Sequence, residues 1–309
     1  PASEIIPVTR ANGVTHAVAA PQGAGIAGQG SLIHLDGWTV EEMFVSNLYM
    51  VVQWPNLQTR GFDRTTFTQF NRSFAEAKEE YESAIANLES LLDDARRYAA
   101  SDANSDPTRR NFKLEAMGPV LTGEQPMLIS ANSERSIRDV IAFGERNNVE
   151  VVIAGGREAW RIADEVAASG VPIIIGATQS LPSREDDPYD APYSAPAKLY
   201  EAGVKFAIST YNASSARTLP FEAGTAVPYG LPHEEALKAI TRYPAEILGV
   251  GDQMGTLERG KVANLMIADG DPLDIATQVT HVVIQGRMID PYDNKHDNSY
   301  EKYRGRPQR

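Results

Sequence analysis

The feature that most limits the fold is a regular alternation of apolar and helical segments over residues 126–250. Four short runs rich in Val, Ile and Ala are each followed by a polar segment with helical spacing: PMLISA (126–131), VEVVIAGG (149–156), VPIIIGA (171–177) and VKFAIST (204–210). Strands that alternate with helices pair in parallel, because each helix returns the chain to the same edge of the sheet. The pattern predicts a parallel sheet. A doubly wound sheet stays open as an alternative to a barrel.

The first hundred residues add further elements. We predict a helix at IIPVTRAN (5–12), a buried strand at THAVAAP (15–21), a glycine-rich loop at PQGAGIAGQGS (21–31) and a strand at NLYMVVQWP (47–55). A long amphipathic helix is predicted over residues 72–100, followed by a polar linker at 101–111. Its apolar residues recur at three- and four-residue steps: Phe74, Ala77, Tyr81, Ile85, Leu88, Leu92 and Ala95. The earlier strands, each with its own helix, favour a barrel.

The C-terminal section has a different pattern. LERGKVANLMIADG and VTHVVIQGRMI are strand-like runs interrupted by glycine, with no helix between them. They predict a separate small β unit, so we divide the chain into a barrel domain at 1–250, a small β portion at 251–290 and a polar tail at 291–309.

Composition excludes several functions. The net charge of −12 and the pI of about 5.0 argue against nucleic acid as a partner, since phosphate binding needs a basic surface. The absence of cysteine excludes disulfides, thiolate metal sites and cysteine nucleophiles. No apolar run approaches the ~20 residues of a membrane span. We expect a small-molecule ligand or substrate; the compartment, cytoplasmic or exported, and a homo-oligomeric state stay open. The chain does not begin with Met, and we expect that its beginning is missing.

Several segments carry a family resemblance: VVIAGGREAW, LPSREDDPYDAPY, AGVKFAIST, LPFEAGTAVPYGLPHEEALKAIT and GTLERGKVANLMIADGDPLD. Together they resemble the imidazolonepropionase-like branch of the amidohydrolase superfamily. The resemblance implies a (β/α)₈ TIM-type barrel, here lacking its first strand, with chemistry at the carboxyl ends of the strands. It also implies that the small C-terminal β unit belongs to a β-sandwich built from both chain ends.

The family's chemistry needs a divalent metal that lowers the pKa of bound water and polarises a carbonyl. The resemblance implies that its ligands are a His-x-His pair on the first strand and histidines ending the fifth and sixth strands, often with a lysine or glutamate on the fourth. It also implies an aspartate at the end of the eighth strand that receives the proton from the water. The matching positions here hold Ser130, Gly155 and Tyr211, which are poor or absent zinc ligands. We therefore expect a degenerate metal site and no metal or other cofactor on this chain, although the family would use zinc or another divalent metal.

Other polar residues are candidates for binding a ligand. The acidic loop SREDDPYD (183–190) follows the seventh strand, where its carboxylates could hold a cation or a basic group, and where an arginine could clamp a carboxylate. The alternative is a solvated loop whose carboxylates cap backbone amides. The candidate ligand-binding residues are Asn132, Arg184, Glu185, Asp186, Asp187, Asp190, Tyr211 and Arg217, with Glu222 beside the last of them. His34 and Asp36 form a further pair two residues apart.

Three functions remain open on the sequence. The first is an amidohydrolase-type enzyme that hydrolyses non-peptide carbon–nitrogen bonds in amides, cyclic amides or dipeptide-like substrates. The second is a catalytically silent barrel homologue that binds a small polar ligand or acts as a partner subunit. The third is a truncated product without function. Family resemblance favours the first and the residues at the metal-ligand positions favour the second.

Overall fold

The computed structural model describes residues 2–63, 68–101 and 110–304. Its largest element is a seven-stranded sheet. In spatial order, the strands of this sheet are β1 (His16–Ala19), β2 (Gly25–His34), β3 (Phe44–Gln53), β6 (Met127–Ala131), β7 (Val151–Gly155), β8 (Ile173–Ile175) and β9 (Phe206–Ile208). A two-stranded sheet, β4 (Arg60–Asp63) with β5 (Thr68–Asn71), lies outside it.

The helices follow the strands as the sequence predicts. They are α1 (Ile5–Arg10), α2 (Val40–Met43), α3 (Phe74–Ala99), α4 (Phe112–Glu115), α5 (Gly118–Leu121), α6 (Glu134–Asn147), α7 (Ala163–Ser169), α8 (Ala191–Glu201), α9 (Leu219–Ala226), α10 (His233–Lys238), α11 (Arg242–Ile247) and α12 (Lys295–Arg304). None of the described helices combines the length and the apolar character that a membrane crossing needs.

The parallel half of the sheet confirms the predicted βα units. Strands β3, β6, β7, β8 and β9 pair in parallel with their neighbours. Alternate side chains on them pack in two directions because side chains alternate along a strand. Ile129, Ile153 and Ile173 join the helices in the main core. Leu128 and Val152 face the other way, toward a second core that residues 245–254 help to form.

The first three strands correct the sequence prediction. Residues 25–31, predicted as part of a glycine-rich loop at 21–31, belong to the ten-residue strand β2 (Gly25–His34), which pairs antiparallel with both β1 and β3. The glycines fit this strand because its register shifts around Gly28, whose φ of +133° disfavours other residues. Strand β1 was expected to be buried, but its residues are half-buried or exposed.

The long helix α3 confirms the prediction from the apolar spacing. Ser73 caps its first turn, because its hydroxyl oxygen accepts a hydrogen bond from the backbone N–H of Glu76. The carboxylate of Glu76 in turn accepts one from the backbone N–H of Ser73. The buried residues include Ala77, Tyr81, Leu88, Leu92 and Ala95. Phe74, counted with the apolar face, is exposed. Residues 102–109 of the predicted linker lie outside the described residues.

These features define an α/β fold whose parallel-rich sheet forms a half-barrel. Among the described residues, β1 and β9 are the two edge strands and do not pair with each other. The antiparallel strand β2 is a second departure from an all-parallel barrel. Closure into a (β/α)₈ barrel stays a prediction.

The C-terminal β unit forms a three-stranded antiparallel sheet of β10 (Leu265–Ala268), β11 (Val279–Ile284) and β12 (Arg287–Ile289). Its Val282 and Ile284 pack with Leu35 in a small third core. The opposite face leaves Ile267 and Met288 exposed. The two ends of the chain therefore pack together, whereas the sandwich and the three-part domain division stay predictions.

Candidate functional site

The positions that match the family's metal ligands lie at one edge of the sheet, where the parallel strands end. We call this edge the carboxyl edge. Ser130 is the penultimate residue of β6, Gly155 ends β7, and Tyr211 follows β9 by three residues. Because parallel strands end at the same edge, residues far apart in sequence meet there.

Tyr211 occupies the space between the neighbouring strand ends. Its hydroxyl donates a hydrogen bond to the carbonyl of Ile174, at 2.8 Å, and accepts one from the backbone N–H of Gly155, at 3.2 Å. Although 51% of the residue's surface is exposed, burial of the hydroxyl raises the pKa of Tyr211 above its usual range. The backbone is in the left-handed region, with a φ of +49°. The side chain is therefore a neutral phenol that joins two strand ends.

Gly155 has a backbone conformation that other residues rarely adopt. Its φ is +100°, and an added Cβ atom would displace the tip of the exposed Asn132 side chain. Ser130 lies one strand away, and its buried hydroxyl oxygen has no hydrogen-bond partner among the described residues. Asn132 is exposed. The carboxyl edge thus presents uncharged polar groups.

These residues do not fit a catalytic divalent metal. Zinc takes thiolate, imidazole or carboxylate ligands, whereas the three positions offer a hydroxyl, a glycine and a neutral phenol that already makes two hydrogen bonds. Within residues 2–63, 68–101 and 110–304, no three His, Cys, Asp or Glu side chains stand close enough to hold an ion. Degeneracy of the metal site stays a prediction.

The loop predicted to bind ligands is tied to the ends of two other βα units. The guanidinium of Arg184 donates to both carboxylate oxygens of Glu158, at 2.7 and 2.6 Å, and to Glu134 at 3.2 Å. Glu158 is only 6% exposed. Burial would raise its pKa, but hydrogen bonds from Arg184 and from the backbone N–H of Glu134 hold it below its usual range. Arg184 therefore already clamps carboxylates of the chain itself.

Asp187 is paired in the same way. Its side chain is 1% exposed and forms an ion pair with Arg161. Burial would raise its pKa, but the Arg161 guanidinium and the backbone N–H of Arg184 hold it below its usual range. The remaining acidic candidates, Glu185, Asp186 and Asp190, make no ion pair within the described part of the chain.

Sequence reasoning did not identify Glu134, Glu158 and Arg161 as members of this network. The feature that could have identified two of them is their position, since Glu134 and Glu158 follow the ends of β6 and β7 within a few residues. Such positions meet at the carboxyl edge of a parallel sheet.

The two candidates beyond β9 have different surroundings. Glu222 is 4% exposed and accepts hydrogen bonds from the hydroxyl of Thr178, at 2.9 Å, and the backbone N–H of Gln179, at 2.8 Å. It fixes the start of the loop after β8. The Arg217 side chain is exposed, and its backbone carbonyl accepts a bond from Asn12.

His34 lies at the opposite end of the sheet. Its ring is 4.6 Å from the ring of His16, its partner in the antiparallel register of β1 and β2. Burial lowers the pKa of His16 to about 4, and the neighbouring His34 adds to the effect. Asp36 instead pairs with Arg10 and Arg287, each at 3.0 Å. This group is separate from the carboxyl edge.

Comparisons with known proteins agree with this architecture. The model of an amidohydrolase family matches residues 217–290. The chain is 31% identical over 192 residues to an imidazolonepropionase of Chromobacterium violaceum, covering 59% of this chain and 43% of the relative. It is 48% identical over 44 residues to an N-substituted formamide deformylase of Arthrobacter pascens, covering 14% and 8%. The chain spans less than half the length of the curated relatives it matches.

A solved structure is similar over most of the chain. An amidohydrolase from Thermotoga maritima superposes with a TM-score of 0.78 at 25% identity, covering 92% of this chain and 74% of that one. The fold and the position of its polar residues thus define an α/β protein with a barrel-like, parallel-rich sheet. Residues 217–290 match an amidohydrolase family, and the chain is similar to amidohydrolases, among them an imidazolonepropionase.

Proposed function

We propose that this chain is a small-ligand-binding member of the amidohydrolase superfamily in which the positions of the usual metal ligands no longer support metal-dependent hydrolysis. The observation that carries the proposal is the Tyr211 hydroxyl, which binds the ends of two strands at the position where the resemblance implies a proton-accepting aspartate. A phenol with a raised pKa is a poor base near neutral pH. It cannot receive a proton from water as an aspartate would.

The surroundings of Tyr211 support binding rather than catalysis. Ser130 and Tyr211 present neutral hydroxyls at this edge, and among the described residues the buried hydroxyl of Ser130 has no hydrogen-bond partner. The charged residues of the 183–190 loop are largely used within the protein, since Arg184 and Asp187 are both paired.

Hydrolysis of a carbon–nitrogen bond is the second candidate. It is favoured by the names of the relatives, an imidazolonepropionase and an N-substituted formamide deformylase. It would require a ligand set that does not use Gly155, whose backbone conformation other residues rarely adopt.

Metal content separates the two functions. The protein is purified without chelators, incubated with zinc, desalted and assayed by elemental analysis, together with the variant Tyr211→Phe. We expect far less than one equivalent of zinc, iron or manganese in both, and no release of ammonia or acid from amide and cyclic amide substrates. One retained equivalent, with hydrolysis that a chelator abolishes, would overturn the proposal.

A further inference from the structure

A small pocket lies at the carboxyl edge between β7, β8 and the start of α8. Its walls include Gly155, Arg157, Trp160, Ile175, Leu181 and Pro192. The volume open to water-sized occupants is about 40 Å³, several times the ~10–15 Å³ that one water needs. The pocket therefore fits the small end group of a ligand rather than a whole drug-sized molecule.

The net charge that this pocket presents to a ligand depends on which of its charged side chains already form ion pairs within the protein. Asp187 lines it, but its carboxylate is bound to Arg161 and almost completely buried. Arg157 lines it as well and is exposed. Among the described residues, Arg157 has no carboxylate partner. Among the side chains that line the pocket, the uncompensated charge is therefore positive. The unpaired carboxylates of Glu185, Asp186 and Asp190 belong to the same loop but do not line the pocket.

A second cation lies over the ring of Trp160, one of the residues that line the pocket. The ammonium of Lys198 lies 4.1 Å from the centre of the Trp160 ring, and the guanidinium of Arg161 lies 4.6 Å from it. Such contacts hold cations near an aromatic face. Lys198 is half-buried and, within the described part of the chain, also lacks a carboxylate partner. Half-buried cations usually acquire a counter-ion, since removing a charge from water is costly.

We infer that this pocket binds the carboxylate of a small organic acid, with Arg157 as the direct partner, Lys198 as the nearby countercharge and Trp160 as the apolar wall. An arginine binds a carboxylate through two parallel hydrogen bonds. The hydroxyls of Ser180 and Ser183, which also line the pocket, add uncharged donors. The inference rests on the proposed function, because it names the ligand class of the same carboxyl edge.

The test compares an acid with its neutral amide. Binding of N-acetylglycine, N-acetylglycinamide and inorganic phosphate to the protein is measured by calorimetry, with and without a chelator. We expect the acid to bind at least about tenfold more tightly than the amide, as the loss of one charge-assisted hydrogen bond predicts. Binding should be unchanged by the chelator.

Two variants locate the binding. Arg157→Ala should weaken N-acetylglycine binding about tenfold or more and leave the amide unaffected. Arg259→Ala is the matched control, since Arg259 is exposed and outside the pocket, and it should leave binding unchanged. Arg157 is exposed, so its loss should not prevent folding; circular dichroism checks this.

Each failure has its own meaning. Equal binding of acid and amide, or no effect of Arg157→Ala, would overturn the carboxylate pocket while leaving the metal analysis of the proposed function untouched. Phosphate binding without acid binding would contradict the choice of a carboxylate. Acid binding that is lost on chelation would assign the ligand to a metal, and would overturn both proposals.

Discussion

Lowering the pH from 7 to 5 should destabilise this protein through His16. The ring packs against His34 where β1 pairs with β2, and burial lowers the pKa of His16 to about 4. The unfolded chain keeps a value of about 6.5. Between pH 6.5 and 4 the unfolded chain therefore binds more protons, and stability falls as the pH falls through that window.

The pKa difference sets the size of the effect. From pH 7 to pH 5, this single group should cost about 2 kcal/mol of the free energy of unfolding. His34 adds in the same direction, since burial and Arg287 lower its pKa as well. The carboxylates with lowered pKa values, such as Glu158 and Asp187, lose their contribution below this window.

Urea unfolding at pH 5, 6 and 7 measures the effect. The variant His16→Leu removes the titrating group and keeps the position apolar, so its stability should fall by about 2 kcal/mol less than that of the parent over the same range. The carboxylates are common to both proteins and cancel in the comparison. An identical pH dependence in the two proteins would show that His16 does not stay neutral in the fold.

The remaining predictions concern the carboxyl edge, each measured by urea unfolding at pH 7. Tyr211→Phe leaves the N–H of Gly155 unpaired and should lower the free energy of unfolding by about 1–3 kcal/mol. An unchanged stability would mean that the hydroxyl does not stabilise the two strand ends. Gly155→Ala and Gly170→Ala should each cost about 1–2 kcal/mol, because both glycines have positive φ; the Cβ added at residue 155 meets the tip of the exposed Asn132 side chain, which can rotate away at little cost. Arg184→Ala should lower the free energy of unfolding, because it leaves the buried carboxylate of Glu158 without its cation, but by less than the loss of a fully buried pair since the arginine is partly exposed. Adding Glu158→Gln to the same chain should recover part of the loss.

The sequence determined the parts of the fold that depend on local pattern. The spacing of apolar residues predicts helix α3, and the alternation of apolar runs with helices predicts the parallel strands β6 to β9. Glycine content misled over residues 25–31, because glycines that permit shifts of register within a strand look in sequence like a loop. The pairing of β2 with both β1 and β3 is a long-range choice that no local pattern encodes.

The sequence also predicted which residues stand at the strand ends, but not what those residues contact. That Ser130, Gly155 and Tyr211 stand at strand ends follows from the motifs around them. The two hydrogen bonds of the Tyr211 hydroxyl depend on where separate strands end in space. In the same way, composition shows an acidic loop but not which of its charges are paired. Only the tertiary structure decides that Arg161 and Arg184 form ion pairs with nearby carboxylates. It also decides that Arg157 has no carboxylate partner among the described residues. Charges separated by tens of residues interact only once the fold brings them within a few ångströms.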